Sequence, residues 1–166
     1  MSRRLRIGGP LAALALTLAA GPGWAQNRAA QLRVRWEQTP DAVRKAKLMK
    51  QLGDAEFRDI DREDAAGDSP ATLGGLRQYR DEMRRSLKEL DARGSNAEKH
   101  PAGFKELQIS TRESLRRTNE IIVGLTTDEQ GPFLDVRKDI EEMNRHLIRE
   151  LFPLQPIDGE APGKAK

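Results

Sequence analysis

Gly131-Pro132-Phe133-Leu134-Asp135-Val136-Arg137-Lys138-Asp139-Ile140-Glu141-Glu142-Met143-Asn144-Arg145-His146-Leu147-Ile148-Arg149-Glu150-Leu151 is the stretch that decides the fold. Phe133, Val136, Ile140, Met143, Leu147 and Leu151 recur at steps of three and four, which lines one face of an α-helix and cannot line one face of a strand. The reading starts this helix at Gly131-Pro132 and ends it at Pro153.

The same period recurs upstream. Phe104, Leu107, Thr111, Leu115, Thr118, Ile122 and Leu125 define a helix from about Phe104 to Val123, with two threonines whose hydroxyls can return to carbonyls one turn back. Leu76, Tyr79, Met83, Leu87 and Leu90 define another. Ser69-Pro70 begins it, Gly74-Gly75 threatens to delay or kink it, and Gly94 is placed for a left-handed cap. Ala42, Ala46, Met49, Gly53, Phe57 and Ile60 mark the first long helix, running to about Asp64. Thr39-Pro40-Asp41 opens it: a capping threonine, a proline in the first turn and an acid at the positive end of the dipole. Each stripe is too short for a free-standing coiled coil, so an intramolecular bundle of about four amphipathic helices, possible as helical hairpins, is the expected all-α fold. Asn27 to Gln38 is open to two readings, since Leu32 and Trp36 are four apart while Arg33-Val34-Arg35-Trp36 alternates.

At the start of the chain, Met1-Ser2-Arg3-Arg4-Leu5-Arg6 precedes the uncharged run Leu11 to Ala20. A basic start, an apolar stretch of about ten residues and small Gly23 and Ala25 around Trp24 are the parts of a cleavable secretory signal, with the cut between Ala25 and Gln26. The run is short of the roughly 20 residues a membrane-spanning helix needs. Arg3-Arg4 is reminiscent of a twin-arginine signal, but Arg6 stands where that pattern has a large apolar residue, and no cysteine is present to carry a lipid. The expected organisation is a signal at 1–25, an N-terminal segment at 26–38, a helical domain at 39–153 and a disordered tail at 154–166, which has Pro156, Gly159, Pro162 and Gly163 and no apolar period. Location in the periplasm or outside the cell follows.

Removing the signal removes three arginines from a chain of 29 basic and 26 acidic residues. The remainder is balanced, which argues against a nucleic-acid partner, since neutralising phosphates takes a net basic surface. With no cysteine, disulfides, thiolate metal sites and thiol catalysis are excluded together. A 33% share of charged residues and only 4% aromatics suit a thin bundle with a large solvated surface.

Several motifs on this frame have the residue types that chemistry uses. Asp59, Asp61 and Glu63 alternate as calcium-loop ligands do, but Asp64 stands where such a loop needs glycine and Pro70 where it needs a bidentate acid. The stretch Asp54 to Asp64 therefore reads as a solvated helix face. Glu142, His146 and Glu150, four apart, share one strip that could hold a metal, yet the paired Glu-x-x-His of di-metal bundles is missing, and a charged flank accounts for the strip. His100 has no relay partner nearby in sequence. Arg44-Lys45-Ala46-Lys47 and Arg116-Arg117 lie among acids and read as helix surfaces. No catalytic, cofactor-binding or metal residue is assigned.

Leu125-Thr126-Thr127-Asp128-Glu129-Gln130 resembles the Leu-Thr-x-x-Gln motif of a family of small, exported, all-helical bacterial envelope-stress chaperones, with one residue more and in a single copy. The resemblance implies a binder of unfolded envelope proteins. The same six residues also read as a helix entry, with Thr126 or Thr127 capping and Glu129 or Gln130 completing a box. The Gly67-Asp68 turn is similar to a tetratricopeptide-type hairpin, without any 34-residue repeat. The expected function is an exported, non-enzymatic protein working through contacts with an unidentified protein partner; the alternative is a periplasmic chaperone-like binder.

Overall fold

A computed structural model of the chain describes the backbone of residues 23–153 and the side chains from residue 28 onward. Five helices follow one another among the described residues: α1 (Gly23–Glu37), α2 (Ala42–Ala65), α3 (Ser69–Asp91), α4 (Phe104–Gly124) and α5 (Thr127–Leu151). The segment that admitted two readings is thus the helix α1, and the bundle has one helix more than the four expected. The leader reading of residues 1–22 and the tail 154–166 lie outside the described residues, while Ala25 and Gln26 fall near the start of α1. A cut there would take three residues from α1 and leave Ala29, Arg33 and Trp36 in place.

The helices pack as two hairpins. α2–α3 and α4–α5 stack so that α2 lies on α4 and α3 on α5, with α3 also touching α4, and α1 lies on the outside of α2. The stripes read from the sequence meet in a single core. Phe133, Val136, Ile140, Met143, Leu147 and Leu151 of α5 are all buried, as are Leu76, Tyr79, Met83, Leu87 and Leu90 of α3. Phe104, Tyr79 and Phe133 belong to the same cluster. Each such side chain stabilises the fold by roughly 1.5–3 kcal/mol through burial. The central helix α2 buries more than its predicted stripe, adding Leu48, Leu52 and Ala55, because three other helices pack on it.

Helix starts differ from the sequence reading in an instructive way. Asp41, not Thr39, caps α2, its Oδ1 accepting from the Arg44 N–H at 2.8 Å. Asp68, not Ser69, caps α3, accepting from the Ala71 N–H at 3.0 Å. A carboxylate at the positive end of a helix makes the stronger, charge-assisted bond, and the Thr39 hydroxyl is already donated to the Arg35 carbonyl at 2.7 Å. α5 begins at Thr127 rather than at Gly131-Pro132, which leaves Pro132 inside the helix. Its entry is fixed upstream, where Glu129 accepts from both the Thr126 N–H at 3.2 Å and the Thr126 hydroxyl at 2.6 Å. The proline forgoes one helical bond and a secured first turn tolerates it. Gly74-Gly75 neither delays nor breaks α3, and Gly94 has the left-handed φ of +61° expected of it.

Candidate functional site

The ionisable groups that the fold draws together lie under α1. Its backbone is close only to α2, and two long side chains, Arg33 and Trp36, reach across to α3. Arg33 Nε donates to Glu82 Oε1 at 2.7 Å, and its Nη2 engages Glu56 Oε1 in a second, shorter ion pair. Gln78 Nε2, one turn before Glu82, donates to the same Glu82 oxygen at 3.2 Å. The glutamate side chains are 5% and 7% exposed, against 30% for Arg33. Their other oxygens, Glu56 Oε2 and Glu82 Oε2, are buried with no hydrogen-bond partner among the described residues.

One guanidinium cannot neutralise two carboxylates. The fully ionised trio would hold a net negative charge out of water, at a cost that neighbouring groups must offset. Burial pushes the Glu56 carboxyl up from 4.5 to about 8, with the charge of Glu82 and a hydrogen bond between the two acids adding to the rise and Arg33 opposing it. Burial and the neighbouring carboxylate thus favour the protonated form of Glu56, in which one of its oxygens becomes a donor.

Trp36 completes the contact of α1. It is fully buried, its Nε1 donates to Ser86 Oγ at 3.0 Å, and Lys45 and Arg85 lie 5.0 and 5.2 Å from its ring centroid. Lys45 is itself tied to Glu89 at 2.8 Å. Tryptophan thus supplies apolar area to the core and presents its ring face to two cations.

On the opposite side of α2 a cleft of about 250 Å³ separates it from α4. Phe57 and Tyr79, in edge-to-face contact with centroids 5.1 Å apart, form its floor. Gly53 allows Tyr79 this close: a Cβ at that position would stand 2.9 Å from the ring and from its hydroxyl. Burial, then the charge of Glu56, drives the Tyr79 hydroxyl far above the ordinary phenol range, while a hydrogen bond with Ser114 works in the other direction. The rim carries Lys50, Asp54, Ile109, Glu113 and Arg117. Arg117 packs over Phe57 at 4.5 Å and pairs with Asp61; Lys50 and Asp54 have no ion-pair partner among the described residues.

The residues singled out in the sequence fall elsewhere or play other parts. Glu142 and Glu150 are exposed, and His146 is bound by neither of them but pairs with Asp91 of α3 at 3.1 Å. Among the described residues no group of three histidines, aspartates or glutamates is placed to hold a metal ion. His100 is exposed in the α3–α4 connection. The face Asp54 to Asp64 is not wholly solvated, since Glu56 lies buried in its middle, and the basic runs are not wholly surface, since Lys45 is 7% exposed and Arg117 is half-buried. The threonine seam of α4 behaves as bond chemistry suggested: Thr111 donates to the Leu107 and Gln108 carbonyls at 3.1 and 2.8 Å. Thr118 Oγ1 stays without a partner among the described residues. In Leu125 to Gln130, Thr126 and Glu129 build the entry of α5, while Gln130 Nε2 donates back to the Ile122 and Leu125 carbonyls at 3.3 and 3.2 Å. The segment therefore joins two helices.

Arg33, Glu56 and Glu82 were not found from the sequence. One signal could have pointed to the acids: Glu56 follows Leu52 by four and Glu82 follows Tyr79 by three, so both fall within an apolar arc. Neither family models, curated protein sequences nor solved structures give a match to this chain.

Proposed function

We propose that the protein is an exported, non-enzymatic helical bundle acting through protein–protein contacts, as a structural or regulatory component. The observation that carries this reading is the contrast between its two polar regions. The converging acids Glu56 and Glu82 are nearly buried and bound to Arg33, whereas the α2–α4 cleft is open, with an aromatic floor and, one turn apart on its rim, Lys50 and Asp54, which have no ion-pair partner among the described residues. Its volume suits one or two side chains. The matching occupant is a polypeptide segment that seats an aromatic or branched apolar side chain on Phe57 and Tyr79 and sets an acid and a base against Lys50 and Asp54.

A photo-crosslinking residue at Ile109, on the cleft rim, tests this against the same residue at Val34, which is exposed on α1. A discrete protein adduct at Ile109, absent at Val34 and lost in the double variant Lys50→Glu, Asp54→Lys, is expected. Equal labelling at both sites would overturn the reading. Export rests on the segment Met1 to Ala25, and N-terminal sequencing of the protein recovered outside the inner membrane should begin at Gln26.

A second reading, a chaperone-like binder of unfolded envelope proteins, draws on the 84% exposed Val123 and the 70% exposed Phe152, together with the resemblance at Leu125 to Gln130. It requires the purified protein to suppress aggregation of an unfolded client, and Val123→Ser with Phe152→Ser to abolish that effect. Without suppression this reading fails and the first stands alone.

A further inference from the structure

We propose that α1 is a proton-operated clasp: it closes over α2 and α3 while the Glu56–Glu82 pair retains one shared proton, and it loosens when both carboxylates are ionised. The geometry supplies the reason. Arg33 is the cation that α1 brings to the pair, and each glutamate leaves one buried oxygen that no other group satisfies among the described residues. With a proton between them the trio is neutral and its polar atoms are bonded. Without it the acids repel each other at a place that water reaches poorly, and the release of α1 returns both to solvent.

The groups around the pair do not supply a second counter-charge. On α2, Asp59 and Glu63 line the same small cleft beside α1, and both are acids, Asp59 being held by Arg62 at 2.7 Å. On α3, Gln78 is neutral, the buried Tyr79 feels the charge of Glu56, and Arg85 packs on Trp36. Lys45, the remaining buried cation near α1, is bound to Glu89. α4 contributes the neutral Ser114, on Tyr79. Arg33 is thus the only cation bonded to Glu56 and Glu82 among the described residues.

The direction follows from linkage. In the docked state the Glu56 carboxyl keeps its proton up to about pH 8, whereas a solvated glutamate releases it near 4.5. Closure therefore takes up a proton between those two values. The clasp is tightest at the acid end of the window, weakens by at most about ten-fold per pH unit as pH rises, and levels off above pH 8. Acidification holds α1 down.

Hydrogen exchange of the full chain, read by mass spectrometry and corrected for intrinsic rates, tests the clasp at pH 5.5 and 8.5. Protection of residues 28–37 should fall about ten-fold or more between the two, while that of α5 stays level. Glu56→Gln, a neutral isostere that keeps a donor for Glu82, should hold α1 protected at both pH values. Should that variant fail to fold, as judged by lost protection in α5, Glu82→Gln removes the same charge and carries the same expectation. Wild-type protection of α1 that does not change with pH would overturn the proposal. So would a pH dependence that survives in a folded Glu56→Gln or Glu82→Gln protein.

Discussion

α5 and α1 are held to the rest of the bundle by different chemistry, α5 on α4 and α3, and α1 on α2 and, through Arg33 and Trp36, on α3. α5 lays down six buried apolar side chains from Phe133 to Leu151, an attraction without direction and without dependence on charge state. α1 offers one large buried apolar anchor, Trp36, one small one, Ala29, the half-buried Leu32 and, among them, an arginine that must find two carboxylates. The comparison teaches that the bundle has an unconditional part and a conditional one. Helical period revealed the first because period is a record of burial; it could not reveal the second, because there the buried groups are charged.

Variants can break that comparison. Trp36→Ala should have the largest effect, about 3–5 kcal/mol by the usual cost of deleting a buried aromatic, with Ser86 Oγ left unpaired. Its signature should be a separate early transition of α1 in chemical denaturation, while α2 to α5 unfold later. Leu147→Ala, at about 2–5 kcal/mol, should instead lower the unfolding of the whole bundle. A single shared transition in both variants would mean that the two regions are one cooperative unit.

Arg33→Met is next. Removing the cation from two buried acids costs about 3–5 kcal/mol where the pair is fully buried, and the partial exposure of Arg33 reduces this to about 2 kcal/mol. With nothing left to oppose burial, the proton is held more tightly, so the loss should be smaller at pH 5.5 than at pH 8.5. Equal denaturation midpoints at the two pH values would contradict the assignment of Arg33 as counter-ion.

Gly53→Ala sharpens the view of the cleft wall. The new methyl would press on the buried Tyr79 ring, and overpacking there should cost about 1–2 kcal/mol by thermal melting. Gly74→Ala meets nothing within 4 Å and should stabilise α3 by about 0.5–1 kcal/mol. The smallest effect belongs to His146→Asn: its pair with Asp91 is about one-third exposed on both sides and is worth under about 0.5 kcal/mol. A larger shift in its melting temperature than in that of Gly53→Ala would show that the α3–α5 ion pair was undervalued.

The legible parts of the fold were those written in leucine, isoleucine, methionine and phenylalanine. The stripes of α3 and α5 reappeared residue for residue, and α4 ended within one residue of its expected limit. Starts were harder. Thr39-Pro40-Asp41 reads as a threonine cap followed by a first-turn proline and an acid, and only the spatial fact that Thr39 bonds back to α1 leaves the role to Asp41. Pro132 looked like a beginning because its ring suits a first turn, whereas the actual beginning was set by Thr126 and Glu129. The candidate site was hardest of all. Glu56 sits in a run of acids whose other members are exposed or half-exposed, and its one local signal, the place four residues after Leu52, does not name its partner Arg33, 23 residues earlier.

The small hydroxyl side chains of α4 bear on how the cleft behaves. Ser110, Thr111 and Ser114 are buried, and each spends its hydroxyl on a carbonyl of its own helix. The seam between α2 and α4 is thereby a fit of shapes with few directed bonds across it. Arg117–Asp61 and Lys47–Glu106 join the two helices at the edge, so the cleft above Phe57 and Tyr79 is bordered by charge and packed by shape.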